Sequence, residues 1–314
     1  MKKKALGKSG IEVAPLAFGG NVFGWTVDEA RGFELLDVFA DAGFNLIDTA
    51  DIYSKWAPGN SGGESETLIG KWLKRSGKRD RVVIATKVGM EMPAGKGLSR
   101  KYIHEAAEAS LRRLQIDRID LYQSHSEDPQ TPIEETLSAY DELIKAGKVR
   151  AIGASNYDAE SLRKALDAAK SSNLPRYETL QPPYNLYARS EFEEKLAPIC
   201  RDEGIGVINY YPLAAGFLSG KYRSEADFGQ SARGPGMKKY LNERGLRILD
   251  ALDAAAKQHE LKPAQVAIAW LLSKPAVTAP IASATTPAQL RELLSAADIA
   301  LDSRTLESLD SASR

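Results

Sequence analysis

The sequence predicts an α/β fold of the (β/α)8 TIM-barrel class, and three observations carry that prediction. Eight short apolar or β-branched runs alternate with eight amphipathic stretches along 314 residues. Their spacing, about 30–40 residues, suits a parallel strand–helix unit. The first run is followed by Gly19, Gly20, Asn21, Val22, Phe23 and Gly24, which lacks the G-x-G-x-x-G of a doubly wound dinucleotide sheet. A closed barrel fits better.

The elements follow in order. Residues 2–13, with Gly7 and Gly10 in their middle, predict a short N-terminal hairpin under the barrel. Strands are expected at 15–19, 44–48, 82–86, 119–123, 149–153, 177–181, 205–210 and 277–281, where apolar runs are too short for helices. Helices are expected at 28–42, 64–75, 99–115, 132–146, 158–170, 190–203, 243–259 and 286–296. Gly43 and Gly147 fall just past helix ends, where positive φ is wanted, and Ser99 and Asp158 stand where N-caps belong. Residues 263–274 open with Pro263 and are apolar almost throughout, which predicts an extra buried helix, and the fold is expected to carry extra C-terminal helices beyond the barrel. The stretch 211–242 is long for a strand–helix loop. No linker or low-complexity tract divides the chain, so residues 1–314 read as a single domain.

Composition removes several function classes. Lys plus Arg and Asp plus Glu both number 42, so no net charge favours nucleic acid or an anionic membrane. Basic residues at the start lead into no apolar run, and no run approaches the ~18 residues a membrane span needs. Cys200 is the one cysteine and is read as a buried structural thiol, and His104, His125 and His259 are the only histidines, so no transition-metal site is expected. His104 and His259 are read as helix-surface residues. The chain reads as a cytoplasmic protein.

Three motifs fail on inspection. Residues 216–222 (GFLSGKY) lack P-loop spacing, His104 and Glu105 lack the second histidine of a zinc protease, and there is no G-x-S-x-G elbow. What survives is the set of polar residues at predicted strand ends, where barrel chemistry sits. Asp48, Tyr53, Lys87 and His125 converge on one rim. A buried lysine beside a phenol favours the phenolate, so Lys87 is expected to lower the Tyr53 pKa, with Asp48 as counter-charge. His125 is placed to orient a carbonyl. The set holds no electron source, so a cofactor must supply one.

These residues sit in stretches that resemble the aldo-keto reductase family over nearly the whole chain. Residues 44–53 (FNLIDTADIY) are similar to its F-x-x-x-D-T-A-x-x-Y stretch, 85–87 (ATK) to its T-K strand end, and 120–125 (DLYQSH) to its D-L-Y-x-x-H. Residues 145–157 (KAGKVRAIGASNY) and 209–222 (NYYPLAAGFLSGKY) match two further motifs in order. The resemblance implies an NAD(P)(H)-dependent oxidoreductase that reduces an aldehyde or ketone, or oxidises the corresponding alcohol or sugar. Tyr53 is then the general acid, tuned by Lys87 and Asp48. It further implies cofactor contacts from Gly20, Asn21, Ser155, Asn156, Gln181 and Tyr210 around the nicotinamide. Leu213, Gly216, Leu218, Ser219 and Lys221 would line the pyrophosphate, and Ile281, Ser283, Thr285, Gln289 and Glu292 the adenosine end.

Two positions depart from the family pattern. No basic residue stands between Ile281 and Gln289 to hold a 2′-phosphate, so NAD(H) is an alternative to the NADP(H) the family uses by default. Tyr211 stands where serine is usual. Trp25 and Trp56 lie in rim loops and are candidate substrate contacts, and residues 55–64 (KWAPGNSGGE) are a candidate mobile gate. Two rival readings stay open: a Schiff-base aldolase or lyase with Lys87 as nucleophile, and a cofactor-binding sensor subunit with little turnover.

Overall fold

The computed structural model describes residues 1–314. The hairpin forms as expected: β1 (Lys4–Ala5) and β2 (Glu12–Val13) pair antiparallel. Gly7 holds φ 57° there, and a Cβ on it would lie 2.1 Å from the Glu178 carbonyl, so the turn is pressed against the barrel floor.

Eight parallel strands follow: β3 (Ala17–Gly19), β4 (Leu46–Asp48), β5 (Val83–Val88), β6 (Ile119–Ser124), β7 (Val149–Ser155), β8 (Tyr177–Gln181), β9 (Gly206–Val207) and β10 (Ile281–Ala282). They pair in the order β10-β3-β4-β5-β6-β7-β8-β9. The seam between β9 and the last strand region closes through Thr278 N–H to the Val207 carbonyl (2.8 Å) and Ile281 N–H to the Asn209 carbonyl (2.9 Å). The two predicted strands at 205–210 and 277–281 shrink to the two-residue strands β9 and β10. Pro280 has no N–H for the ladder, and Pro212 follows closely behind Asn209.

Period-2 alternation splits the core in two. Leu46, Val83, Ala85, Leu121 and Ala151 face a small inner cluster that the hairpin's Leu6 and Ile11 plug from below. Ile47, Ile84, Tyr122 and Ile152 face the much larger layer between sheet and helices. Those helices are α1 (Glu29–Asp41), α2 (Glu64–Ser76), α3 (Arg100–Leu114), α4 (Ile133–Lys145), α5 (Ala159–Ser171), α6 (Ala197–Glu203), α7 (Glu243–Gln258), α8 (Pro263–Leu272), α9 (Pro287–Ser295) and α10 (Ser303–Ala312). Ser99 and Asp158 cap α3 and α5 as expected. None of the helices is long and apolar enough to cross a membrane.

Three differences from expectation have local causes. The helix expected at 190–203 passes through a π-helical turn (Phe192–Leu196) just after its start, because Pro198 cannot donate to the carbonyl four residues back. Segment 211–242, long for a strand–helix loop, contains three 3-10 segments, Ala214–Ser219, Glu225–Gln230 and Gly234–Tyr240. The buried helix α8 packs between α7 and α9, and α10 packs on α7. Helix α10 is one of the extra C-terminal helices, at 303–312 where no periodic stretch marks it, and Asp302 caps it by accepting from Thr305 N–H at 2.9 Å.

Candidate active site

Alternation along each strand decides which side chains enter the barrel mouth. Leu46 points inward and Ile47 outward, so Asp48 at the end of β4 points inward. On β5 the inward set Val83 and Ala85 is continued by Lys87, while Thr86 turns outward to Glu66 of α2 (2.5 Å). On β6 Leu121 is followed by inward Gln123, and Ser124 turns out to the hydroxyls of Tyr140 and Tyr177. Tyr53 arrives from the loop after β4.

Four of these groups form one hydrogen-bonded knot. Lys87 Nζ donates to Asp48 Oδ2 (2.7 Å), to the Thr49 carbonyl (2.9 Å) and to the Tyr53 hydroxyl oxygen (2.8 Å). Asp48 Oδ2 also lies 3.3 Å from the Tyr53 hydroxyl, which donates to it. Asp48 Oδ1 accepts from Gln181 Nε2 (2.9 Å) and Gln123 Nε2 (3.3 Å). Lys87 and Asp48 are 0% and 1% exposed, a burial that only such complete pairing makes tolerable. Every Lys87 proton is used, and Nζ is enclosed behind Tyr53 rather than open to the cleft.

Tyr53 behaves oppositely to the expectation that Lys87 lowers its pKa. It keeps some contact with solvent, yet burial of its surroundings, then the Asp48 carboxylate, push the phenol well above its ordinary 10.0. The Lys87–Asp48 pair is close to neutral as seen from the phenol, so its cation cannot offset the lost hydration. Lys87 itself is lowered by burial, against which Asp48 pulls upward. The resting site therefore holds a protonated phenol. His125 is pushed down to about 3 by burial, then by Lys87, so its ring is neutral at pH 7. Its Nδ1 is buried with no partner. The Tyr53 and His125 rings meet edge to face, centroids 6.0 Å apart.

The knot closes one end of a cleft of about 650 Å³. Trp25 and Trp56 line it, edge to face at 5.8 Å, and so do Tyr210 and Tyr211. The candidate gate at 55–64 is tied down in this structure. Asn60 Nδ2 donates to the Gly24 and Ser54 carbonyls, and Ser54 Oγ to the Phe23 carbonyl, which joins both rim loops.

Most residues assigned to the cofactor do line the cleft, but several already have internal partners. Asn156, at φ 56°, donates from Nδ2 to the His125 carbonyl (2.8 Å) and accepts from the Tyr210 hydroxyl (2.7 Å). Ser155 Oγ donates to the Gln181 carbonyl, and Gln181 spends its amide on Asp48. Ser283 Oγ lies 2.7 Å from both the Gly19 carbonyl and Asn21 Oδ1. Leu213, Gly216, Ser219, Lys221, Ile281, Thr285, Gln289 and Glu292 line the remainder.

Two of the assigned residues do not line the cleft. Gly20 sits behind the wall, its carbonyl bonded to Ser65, and Gly19 lines the cleft instead. Leu218 is 0% exposed, because the 3-10 turn rolls it with Phe217 into the core. Arg233 is the main residue the sequence reading passed over. It lines the cleft without a carboxylate or hydrogen-bond partner for its guanidinium, which lies 5.5 Å from the Trp25 ring. Only its place as an isolated arginine among Ser231, Ala232, Gly234 and Pro235 marked it. Lys221, also without a carboxylate partner, is the second cation of the wall. Away from the cleft, His104 bonds Glu142, Cys200 is buried, and His259 bridges α7 to Thr305 of α10 rather than lying free on the surface.

A closed eight-strand parallel barrel with this cluster at the strands' C-terminal ends defines a class of barrel oxidoreductases. Within that class, the model of the Aldo/keto reductase family matches residues 15–314, and the chain belongs to that family. It is 36% identical over 319 residues to a Bacillus subtilis protein named uncharacterized oxidoreductase YrpG, covering 99% of this chain and 95% of that one. It is likewise 36% identical over 305 residues to the aldo-keto reductase YhdN of the same organism, covering 93% and 88%. An Arabidopsis thaliana protein named probable voltage-gated potassium channel subunit beta is 36% identical over 312 residues, covering 95% and 92%.

Proposed function

We propose that residues 1–314 form a single-barrel, nicotinamide-dependent reductase in which Tyr53 delivers a proton to the oxygen of an aldehyde or ketone. The observation that carries this is the Tyr53 hydroxyl, 2.8 Å from a buried Lys87, in an aromatic-lined cleft. When bound, the dinucleotide supplies the hydride. The wall suits such a group. Lys221 and Arg233 offer unpaired cations to a diphosphate, and the backbone between them and the knot runs left-handed at Ala214, Ala215 and Gly216, the kind of strain found at ligand clamps.

Neutral His125 donates a hydrogen bond to the carbonyl and turns its oxygen towards Tyr53. As negative charge grows on that oxygen, Tyr53 gives up its proton. Lys87 then holds the phenolate through a charge-assisted bond, a class of interaction contributing about 1.5–3 kcal/mol. Asp48 keeps Lys87 charged and in place. In the reverse direction Tyr53 takes the proton from an alcohol or sugar hydroxyl.

NADP(H) is the family's usual partner. The adenosine end, however, is lined by Thr285, Gln289 and Glu292 and by no cation, which favours NAD(H). The enclosure of Lys87 Nζ stands against a Schiff base on that residue. The likeness to a named channel subunit motivates a second reading, a cofactor-holding subunit with slow turnover.

Titrating NADPH and NADH while following Tyr and Trp fluorescence, with turnover of an aromatic aldehyde by wild type and Tyr53→Phe, tests these readings. The expected result is tight binding of one nucleotide, turnover in wild type, and near-complete loss of turnover with retained binding in Tyr53→Phe. Binding without turnover supports the subunit reading. Absence of binding by both nucleotides overturns the proposal.

A further inference from the structure

Behind the knot, towards α2 and α3, lies a second group of ionisable side chains that the proposed reaction does not use. Asp51 is 2% exposed, and neither of its carboxyl oxygens has a hydrogen-bond partner. Charged and titratable groups face it from five elements, the farthest being the buried Tyr140 of α4. Helix α2 presents Glu66, also fully buried, which accepts from Arg113 Nε (2.7 Å) and Thr86 Oγ1 (2.5 Å). Helix α3 presents Arg113 and Tyr102. Strand β5 presents Lys87, and β6 presents Tyr122, whose hydroxyl is buried and partnerless too.

The charges here pair off with one left over. Lys87 is matched by Asp48, and Arg113 by Glu66. An ionised Asp51 would be a buried fifth charge with no cation of its own and only the neighbouring Ile52 N–H, too poorly aligned to make a hydrogen bond, to lower its cost, an arrangement proteins avoid by neutralising the group. Burial without a partner thus drives Asp51 towards its protonated form.

We propose that Asp51 is a positioning residue for proton transfer: protonated, it leaves the Lys87 cation to serve Tyr53; ionised, it sets a second negative charge near Lys87, holds the proton on Tyr53 more tightly and slows reduction. This rests on the reading of Tyr53 as proton donor. Burial, then the like charge of Glu66, push the Asp51 carboxyl up to about 7, so the change falls in the neutral range. His125, at about 3, and Tyr53, well above 10, do not titrate there.

The test is kcat for aldehyde reduction against pH, at saturating cofactor and substrate, in wild type, Asp51→Asn, Glu66→Gln and Tyr53→Phe. An infrared difference spectrum of wild type against Asp51→Asn accompanies it. Wild-type kcat is expected to fall several-fold between about pH 6 and about pH 8, with a protonated-carboxyl band lost over the same range. Asp51→Asn should hold the acid-side rate with no step. Glu66→Gln removes the like charge and frees Arg113, so the step should move to lower pH; with the infrared band it decides the matter if Asp51→Asn does not fold. A step that survives in Asp51→Asn, an unmoved step in Glu66→Gln, or no protonated-carboxyl band at about pH 6 overturns the inference and leaves Tyr53's role standing. Turnover indifferent to Tyr53→Phe overturns both.

Discussion

Replacing Lys87 by methionine should be among the most damaging single changes in this chain, for reasons its surroundings supply. Methionine fills most of the lysine's volume, so the packing loss is small. What it removes is the cation 2.7 Å from an Asp48 that is 1% exposed. Asp48 keeps its bonds from Gln181, Gln123 and Tyr53, but these are neutral donors facing a full buried charge. Breaking a buried pair in this way costs about 3–5 kcal/mol. With about 2.1 cal/mol/K of unfolding entropy per residue, 1 kcal/mol moves Tm by about 1.5 °C in a chain of 314 residues, so Tm should fall by about 5–8 °C. Lys87→Met/Asp48→Asn removes both charges and should recover most of that loss, because exchanging a whole buried pair is often close to neutral. Calorimetry of wild type, both single variants and the double variant at pH 7 closes the cycle. A Lys87→Met variant within about 1.5 °C of wild type, or a double variant no better than Lys87→Met, would refute the claim that the pair is held by mutual charge compensation.

Four further outcomes follow from other parts of the structure. Asp51 is raised from 3.8 to about 7 on folding, so its contribution is present at low pH and lost as pH rises through 7. The span of about three pKa units corresponds to about 4 kcal/mol, and Asp51→Asn should therefore be more stable than wild type at pH 8 and no more stable at pH 4, as read by urea unfolding at both pH values. A Cβ at Gly153 would lie 2.1 Å from Thr179 Oγ1 across β7 and β8, so Gly153→Ala should cost about 1–3 kcal/mol in the same assay, whereas Gly229→Ala meets nothing and should be near neutral. Arg233→Ala should weaken dinucleotide binding by about 10- to 100-fold with a shallower salt dependence, measured by fluorescence titration at two ionic strengths. The His125 ring should show no protonation shift by NMR between pH 5 and pH 8, since its pKa is pushed down to about 3.

Much of the candidate site was legible because it rests on short-range rules. Asp48, Lys87 and Gln181 close strands whose alternation points them inward, and that period is written in the run of apolar residues before each. Gly43, Gly147, Ser99 and Asp158 punctuate the helices through backbone preferences of single residues. Where one residue's rotation matters, the reading slipped: Gly19 rather than Gly20 lines the cleft, and Leu218 turns into the core, because a 3-10 turn gives no face that can be counted from spacing.

What the sequence determined by itself, then, is the order of strands and helices, the inward set at the strand ends and, through its motifs, the family. Only the tertiary structure decided the quantities that sum over many distant atoms. Tyr53 holds its proton because burial and Asp48 outweigh Lys87, a balance no spacing records. Arg233 reaches the cleft from a segment of linked 3-10 turns, Asn60 ties two rim loops together, and Asp51, Glu66 and Arg113 meet from three separate elements. Electrostatic free energy depends on distance and on exclusion of water, and both are set only once the barrel has closed.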